Sequence, residues 1–390
     1  MIIDNVDMHN ILLLGCGTQG LALVKCLKKA GHTVVLLGEK NNYADKSRYI
    51  DHKYYTTFRP LSKDYLALVI DVIKSHDIHS IVPMGDINAE FLSVNKGTLL
   101  QFVKYKMPDH DVFLRATDKN KLMQLCAEKG YPHPFTINSV DNISSVKQEI
   151  LSFPLLIKPN ITCGARGMTL VNSYDELIEK YALIRKEYGE CHLQKYVKQG
   201  GAQVEVQLYI DENQRLLNSS VIYKYRWYPE KGGSSCCAVS VRNDRIVNIL
   251  YNLLKDLNWV GFADFDTIED PDTGELLIME LNPRVPACVK TAVEAGINWG
   301  EIIVNDYLGK AQKNYIYKEG EYLRHLGFEV LWFMKSKNRF KTSPCWFNFI
   351  GKHIHYQDMS DWSDPMPFLT GTWRNVKKVI THSEKTRINR

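Results

Sequence analysis

Short apolar strands alternate with helix-length segments in the first part of the chain. Residues 11–14 form an apolar run, and a glycine turn at 15–20 leads into apolar positions at helical spacing. A second apolar run covers 33–37, and a helix at about 64–75 precedes a third run at 80–83. Regular alternation of strand and helix predicts a parallel sheet covered by helices, an α/β arrangement.

The middle of the chain is richer in strands. A helix is predicted from Asp118 to about Glu128, and later helices lie near 174–188 and 244–257. The predicted strands are 155–158, 168–171, 192–196, 203–210, 216–223, 261–268 and 276–281. Residues 269–274 have the composition of a tight turn, so the last two strands form a hairpin. This part is therefore predicted to be α+β with antiparallel pairing.

These patterns divide the chain into residues 1–113, 114–312 and 313–390. The last part ends in basic residues and is rich in aromatic ones: Trp332, Phe333, Trp346, Phe347, Phe349, Trp362 and Phe368. Aromatic side chains are usually core material, so a packed appendage is the first interpretation. A surface for a substrate or a partner is the alternative.

Composition excludes several classes of protein. Apolar residues make up 45% of the 390 positions and charged residues 24%, which is ordinary for a globular chain. A net charge of +5 is a weak excess and makes no general case for nucleic acid or membrane binding. The nine cysteines contain no CxxC pair, so neither a zinc site nor a disulfide framework fits. We therefore expect a reduced, cytoplasmic protein without a membrane span.

The glycine turn Gly15–Gly20 has the GxGxxG spacing. Its glycines allow a tight turn, and the following helix N-terminus can hold a phosphate. Glu39, at the end of the second strand, could hold a ribose hydroxyl. An NAD-binding oxidoreductase is therefore one hypothesis, and a purely structural turn is the other.

Lys158 lies at the end of an apolar strand, shortly before the glycine-rich residues Gly164, Ala165, Arg166 and Gly167. A lysine supplies a point charge for a polyphosphate, and the N–H groups of a flexible loop can surround anionic oxygens. This is no Walker loop, because no GKS or GKT follows. A surface hairpin with incidental charge is the competing interpretation.

The predicted hairpin carries acids and amides on one face. Asp264 and Asp266 share a face of one strand, and Glu280, Asn282 and Arg284 share a face of the next. Hard oxygen ligands of this kind suit magnesium, and an arginine beside them could hold a phosphoryl group or a carboxylate. The alternative is a solvated polar hairpin.

Taken together, residues 10 to 310 resemble the ATP-grasp superfamily, and look like its carboxylate–amine ligases and the ATP-binding halves of the carbamoyl-phosphate synthase large subunit. The resemblance implies a Rossmann-like domain over 1–113 and an ATP-grasp domain over 114–312. The small lobe of the latter would cover about 114–195 and the large lobe about 196–312, followed by the C-terminal extension.

The resemblance also implies roles for single residues. Phosphates would be bound by Lys119 and Lys158, with Gly164, Ala165, Arg166 and Gly167 as a lid. Adenine and ribose would be bound by Gln194, Lys195, Tyr196, Val197 and Glu205. Magnesium, with manganese as an alternative, would be held by Asp266, Glu280 and Asn282. Asp266 stands where relatives more often have Glu or Gln. Catalysis would rest on Arg284 and Lys158.

The segment 224–229 with the glycine turn after it resembles one beside the acceptor substrate in uncharacterised ATP-grasp ligases. It implies that Arg226, Gly233 and Ser234 contact substrate, and Arg226 then suggests an acidic substrate. A basic surface strand is the alternative.

The favoured hypothesis is an ATP-dependent ligase that activates a carboxylate as an acyl phosphate and joins it to an amine, or less readily to a thiol. Its partners would be small molecules and, as an open alternative, a second copy of the chain. A nucleotide-binding regulatory module or subunit is the second hypothesis, and the NAD-dependent oxidoreductase is the third.

Overall fold

The computed structural model describes residues 8–15, 17–40, 44–161, 166–230, 233–357, 363–371 and 373. It contains three sheets. The N-terminal sheet is built from β1 (Asn10–Leu14), β2 (Thr33–Gly38), β3 (His52–Tyr55) and β4 (Ser80–Pro83), with α1 (Thr18–Lys29), α2 (Lys63–Ser75), α3 (Asp86–Val94) and α4 (Lys96–Leu99). The four strands are parallel in the order β3-β2-β1-β4. This confirms the parallel sheet that the alternation of strands and helices predicts.

β1 lies between two parallel neighbours, and its residues Ile11–Leu14 are fully buried. A strand covered on both faces has no solvent side, which explains its unbroken apolar sequence. Two further helices, α5 (His110–Thr117) and α6 (Lys119–Lys129), lead out of this unit. The side chain of Asp118 accepts a hydrogen bond from the N–H of Lys121 at 3.1 Å and so caps α6. This cap places Lys119 at the first position of the helix.

The second sheet is small and antiparallel. Its strands are β5 (Thr136–Ile137), β6 (Leu155–Pro159), β7 (Thr169–Val171) and β8 (Cys191–Lys195), in the order β5-β8-β6-β7, and α7 (Tyr174–Tyr188) packs on it. Leu155 and Ile157 face a core formed with Leu177 and Tyr181 of α7. Since side chains alternate along a strand, Lys158 of β6 lies on the opposite face.

The third sheet has seven strands in the order β13-β12-β9-β10-β11-β14-β15. These are β9 (Gln203–Ile210), β10 (Leu216–Tyr228), β11 (Ser234–Val241), β12 (Gly261–Glu269), β13 (Leu276–Asn282), β14 (Tyr322–Arg324) and β15 (Ile354–Tyr356), with α8 (Asp244–Leu257), α9 (Val289–Glu294), α10 (Trp299–Leu308) and α11 (Leu326–Lys335). β12 and β13 form the predicted antiparallel hairpin. One continuous apolar core joins this sheet to the N-terminal sheet.

The C-terminal extension adds strands to the large sheet. β14 pairs with β11, β15 pairs with β14, and α11 packs on β10 and β11. Two strands from beyond residue 313, β14 and β15, are therefore part of the large sheet, because β14 gains backbone hydrogen bonds from β11 and β15 gains them from β14. Within the described ranges, no helix has the length and apolar character that crossing a membrane requires.

Candidate functional site

Lys158 is buried on the face of the small sheet that points away from α7. We call the region between this face and Glu280 of β13 the cleft. Its side-chain nitrogen donates a hydrogen bond of 2.9 Å to Gln194 Oε1, on the neighbouring strand β8. Only 5% of Lys158 is exposed, and Gln194 is fully buried. Burial lowers the pKa of Lys158 to about 8, the nearby Lys119 adds to the effect, and Glu280 opposes it. The lysine can therefore lose its proton close to neutral pH.

Lys119 connects the small sheet region to the large sheet. Its side-chain nitrogen lies 3.1 Å from Glu280 Oε2 on β13. Its backbone N–H donates to the carbonyl of Asn160, just beyond β6. Two lysines predicted to bind phosphate and one acid predicted to bind metal thus lie in the same cleft.

Three neighbouring strands present acids and amides to this cleft. Asp266 is paired with Glu205 of β9 on one side and with Glu280 of β13 on the other. One pair further along, Asp264 is opposite Asn282, whose Nδ2 lies 3.3 Å from an oxygen of each aspartate. Cross-strand partners share a sheet face, so these side chains form one polar surface.

Lys224 of β10 lies inside this group of acids. Its nitrogen is 2.7 Å from Asp266 Oδ1 and 3.0 Å from Glu205 Oε2. Burial alone would lower the pKa of Lys224, but the carboxylates of Asp266 and Glu205 raise it well above its usual value. Lys224 was in the segment expected beside the acceptor, but it was not predicted as a site residue.

The acids and Asn282 fit a magnesium ion. Asp264 is buried, its Oδ1 has no hydrogen-bond partner, and burial together with Glu205 and Asp266 raises the pKa of Asp264 well above its normal value. A cation beside these carboxylates would favour the ionised form of Asp264. Across the described residues, no three or more His, Cys, Asp or Glu side chains are grouped to hold a metal by themselves. Magnesium usually keeps several waters and takes other ligands from substrate phosphates.

Arg284 follows β13 and reaches the N-terminal unit. Its Nε donates a hydrogen bond of 2.9 Å to Asp86 Oδ1, at the first position of α3. α3 follows β4, so Asp86 stands at the carboxyl end of the parallel sheet. Ligand sites in open α/β sheets concentrate at this end. Asp86 had no sequence signal of its own and was not predicted.

Several polar groups of the predicted adenine-binding segment already form hydrogen bonds within the protein. The N–H groups of Lys195 and Tyr196 donate to the carbonyls of Phe135 and Pro154. The amide of Gln194 accepts from Lys158 and donates to Thr136 Oγ1 at 3.3 Å. Gln194 therefore positions Lys158, and its expected contact with adenine stays a prediction. Contact of adenine with Val197 stays a prediction.

The predicted glycine-rich lid is described only at its end. Gly164 and Ala165 lie outside the described residues. Gly167 has a φ of +74°, and a Cβ there would lie 2.8 Å from Pro159 Cγ and from the ring of Tyr188. Only glycine fits this close approach beside the strand that carries Lys158. The functions assigned to Arg166 and Gly167 stay predictions.

Arg226 does not face the cleft. It is 2% exposed, and its guanidinium donates to both oxygens of Glu329, to Thr342 Oγ1 and to the carbonyl of Pro344. This contradicts the expectation that Arg226 contacts substrate, because its donors are used inside the protein. Gly233 and Ser234 lie at the end of the β10–β11 hairpin, where Ser234 pairs with Tyr228. Their expected contact with substrate stays a prediction.

The glycine turn after β1 is closed by side chains. A Cβ on Gly15, which has a φ of +71°, would lie 2.6 Å from Asn88 Nδ2. Gln19 lies against Gly17 and donates to the carbonyl of Met84 at 2.6 Å. Close packing against these amides is sufficient to require glycine at both positions, which favours the structural interpretation of the turn. Glu39 is exposed, one residue beyond β2.

Part of the chain is similar to a known ATP-binding domain. Residues 116–223 match the model of the carbamoyl-phosphate synthase L chain ATP-binding domain. The resemblance to the ATP-grasp superfamily that the sequence predicts is confirmed. It is 21% identical over 77% of its length to the C-terminal section of the carbamoyl phosphate synthase large chain of Methanopyrus kandleri, and 23% identical over 58% of its length to a D-aspartate ligase of Enterococcus faecium. It covers 58% of the length of each.

A solved structure has a similar fold. The biotin carboxylase of Campylobacter jejuni, in complex with β,γ-ATP, superimposes with a TM-score of 0.67. The match covers 81% of this chain and 75% of the carboxylase chain, at 16% sequence identity. At this identity the likeness establishes the fold and leaves the substrate to be argued from the site.

Proposed function

We propose that this ATP-grasp protein is an ATP-dependent ligase that activates a carboxylate as an acyl phosphate and joins it to an amine. The observation that carries the proposal is the contact of Lys119 with Glu280, at 3.1 Å, across the cleft that also contains Lys158. Cations for phosphates and oxygen ligands for a metal meet there. Phosphoryl transfer needs this combination more than it needs a protein nucleophile.

In this proposal the chain's own residues position ATP. Lys119 and the protonated form of Lys158 bind phosphate oxygens, and Gln194 holds Lys158 in place through its 2.9 Å hydrogen bond. Asp266, Glu280 and Asn282 would hold magnesium, which would neutralise charge on the phosphates when bound. Glu280 then exchanges part of its contact with Lys119 for the metal.

Arg284 is proposed to bind the substrate carboxylate and the transferring phosphate. An oxygen of the substrate carboxylate attacks the γ-phosphorus, and the bond to the bridging oxygen of ADP breaks. The amine then attacks the acyl carbon, phosphate leaves with the electrons of the C–O bond, and the amine loses a proton. The acyl phosphate hydrolyses in water, so the loop Gly164–Gly167 is proposed to cover it.

One relative supports the choice of a ligase, since a D-aspartate ligase is similar to 58% of this chain. A nucleotide-binding module of a larger enzyme is the second candidate. It is favoured by one observation: the chain covers 58% of the length of the carbamoyl phosphate synthase section that it matches. The NAD-dependent oxidoreductase is disfavoured, because Asn88 and Gln19 lie against the glycine turn.

The test is phosphate release from MgATP with a panel of carboxylates, with and without a mixture of amines. A ligase releases phosphate only when both partners are present. Release with a carboxylate alone would indicate activation without the proposed transfer. No release with any mixture, with MgADP still raising the melting temperature, would favour the binding module. Stabilisation by NADH and not by MgADP would overturn the proposal.

A further inference from the structure

The segment from Val330 to Lys352, here called the 330–352 segment, exposes large apolar side chains. The exposed fractions are 49% for Val330, 63% for Met334, 71% for Phe340, 59% for Phe347 and 93% for Ile350. Single exposed apolar residues are normal on any protein. Five within 21 consecutive positions are a concentration that normally marks an interaction surface.

Phe340 and Phe347 belong to one aromatic cluster. The ring centroid of Phe333, near the end of α11, lies 4.1 Å from that of Trp346, 5.5 Å from that of Phe340 and 5.7 Å from that of Phe347. Val330 and Met334 are four residues apart on the same helix and therefore share one of its faces. The exposed rings of Phe340 and Phe347 pack against Phe333, so they belong to an ordered surface.

Two buried arginines hold the backbone beneath this surface. Arg226 donates to the carbonyl of Pro344, and Arg324 donates to the carbonyls of Trp346 and Asn348. Both arginines pair with Glu329, which is fully buried, and the indole of Trp346 donates to the carbonyl of Glu329 at 3.0 Å. The loop that presents Phe347 and Ile350 is thus fixed from inside the protein.

The charged residues of the 330–352 segment are all basic. It contains five basic residues and no acidic one; the basic residues are Lys335, Lys337, Arg339, Lys341 and Lys352. All five are exposed. The guanidinium of Arg339 lies 5.6 Å from the ring centroid of Phe340, so charge and apolar surface are interleaved. The average net charge of the whole chain conceals this local excess.

We infer that the 330–352 segment docks the protein onto an anionic phospholipid surface. Basic side chains are attracted to lipid phosphates, and protruding Phe, Ile and Met side chains enter the boundary between headgroups and acyl chains. The stems of lysine and arginine can lie along that boundary with their charges in water. The surface would bind the membrane peripherally, since no described helix can cross it.

The same observations disfavour two other binding partners for the 330–352 segment. A second copy of this chain, bound through the same surface, would bring two sets of five positive charges together. An acidic protein partner would have to offer pockets for side chains as prominent as Ile350, whereas a fluid lipid layer adapts to them. The inference does not rest on the proposed ligase activity, because no nucleotide is involved.

The test is co-sedimentation of the full chain with vesicles of phosphatidylcholine alone or mixed with phosphatidylglycerol. We expect binding to the anionic vesicles, none to the neutral ones, and release at high salt. The apolar variant Phe340→Ser/Phe347→Ser/Ile350→Ser and the charge variant Lys337→Gln/Arg339→Gln/Lys341→Gln should each lower the partition coefficient at least about tenfold.

Matched controls change exposed residues elsewhere: Phe58→Ser/Leu61→Ser/Leu183→Ser for the apolar variant and Lys29→Gln/Lys63→Gln/Lys186→Gln for the charge variant. They should stay within about twofold of the original chain. Melting temperatures with and without MgADP check that each variant is folded. Absence of binding to anionic vesicles, equal losses in the controls, or a dimer that the apolar variant dissociates would each overturn the inference. An apolar variant that binds unchanged would also overturn it, since charge alone would then explain the attraction.

Discussion

The side-chain nitrogen of Lys224 lies 2.7 Å from Asp266 Oδ1, so a lysine contacts the acid predicted to bind the metal. The same nitrogen is 3.0 Å from Glu205, the acid predicted for the nucleotide pocket. Lys224 therefore separates two carboxylates that would otherwise repel each other inside a buried surface. A metal ion and a triphosphate bound at these acids would therefore lie close to the positive charge of Lys224.

Replacing Lys224 with methionine should lower the free energy of unfolding by about 3–5 kcal/mol, because one partner of a buried ion pair is removed. Urea unfolding measures this. Magnesium chloride should then raise the melting temperature of the variant more than that of the original chain, since the unpaired acids gain a cation.

The control for Lys224 is Lys198→Met, which removes an exposed pair with Asp272 and should change unfolding little. If Lys224→Met unfolded at the same urea concentration as the original chain, the ion pair of Lys224 with the buried Glu205 would not stabilise the fold.

Glu280→Gln should lower the rate of phosphate release at saturating MgATP by at least about 100-fold, because a charged metal ligand in the cleft becomes neutral. The melting temperature without nucleotide should change little, since Glu280 is partly exposed. Glu275→Gln, one residue before β13 and on the surface, is the control. Turnover close to that of the original chain would remove Glu280 from the proposed site.

The acid hairpin could be predicted because its signals are local. Alternation along each strand places Asp264 with Asp266 and Glu280 with Asn282, and the turn between the strands predicts that they form a hairpin. The structure pairs Asp264 with Asn282 and Asp266 with Glu280, and it does so through a register shift immediately after Asp266. Without this bulge Asp266 would lie opposite Met279, so the sequence predicts the hairpin and the residues on each strand but not the register that makes them face each other.

The sequence predicts Arg226 at the site, whereas the structure places Lys224 there and pairs Arg226 with Glu329. This difference could not be predicted. The two basic residues are two positions apart, so simple alternation puts them on one face. In the structure the strand register shifts between them, with Lys224 opposite Ala238 and Arg226 opposite Cys237. A bulge of this kind re-aims side chains and has no signature in this sequence. Glu329, which binds Arg226, lies 103 residues further along the chain.

The pH dependence should report Lys158. We expect kcat/KM for ATP to fall above about pH 8, because burial lowers the pKa of Lys158 to about 8 and the neutral amine no longer attracts phosphate. Lys158→Arg should remove this fall while keeping a positive charge, since arginine stays protonated. A fall that persists unchanged in Lys158→Arg would assign it to another group.

Gln194→Leu should move the same fall to lower pH, because the ammonium of Lys158 loses its hydrogen-bond acceptor. The free energy of unfolding of the original chain has the opposite pH dependence to kcat/KM. The unfolded chain binds the lysine proton up to about pH 10.5, so the free energy of unfolding should rise with pH between about 8 and 10.5. Thr136→Val, which leaves the bond between Lys158 and Gln194 intact, is the control. An unchanged pH profile in Gln194→Leu would show that Gln194 does not position Lys158.

Arg226→Met separates a structural role from the expected contact with substrate. Arg226 pairs with Glu329 and donates to the carbonyl of Pro344, so its loss should lower the free energy of unfolding by about 3–5 kcal/mol. KM for the carboxylate and the amine should stay the same, because Arg226 does not face the cleft. Arg242→Met, which removes an exposed pair with Glu319, should have little effect on either quantity. A raised KM with unchanged urea unfolding would return Arg226 to the acceptor site and weaken the argument that it fixes the loop beneath Phe347.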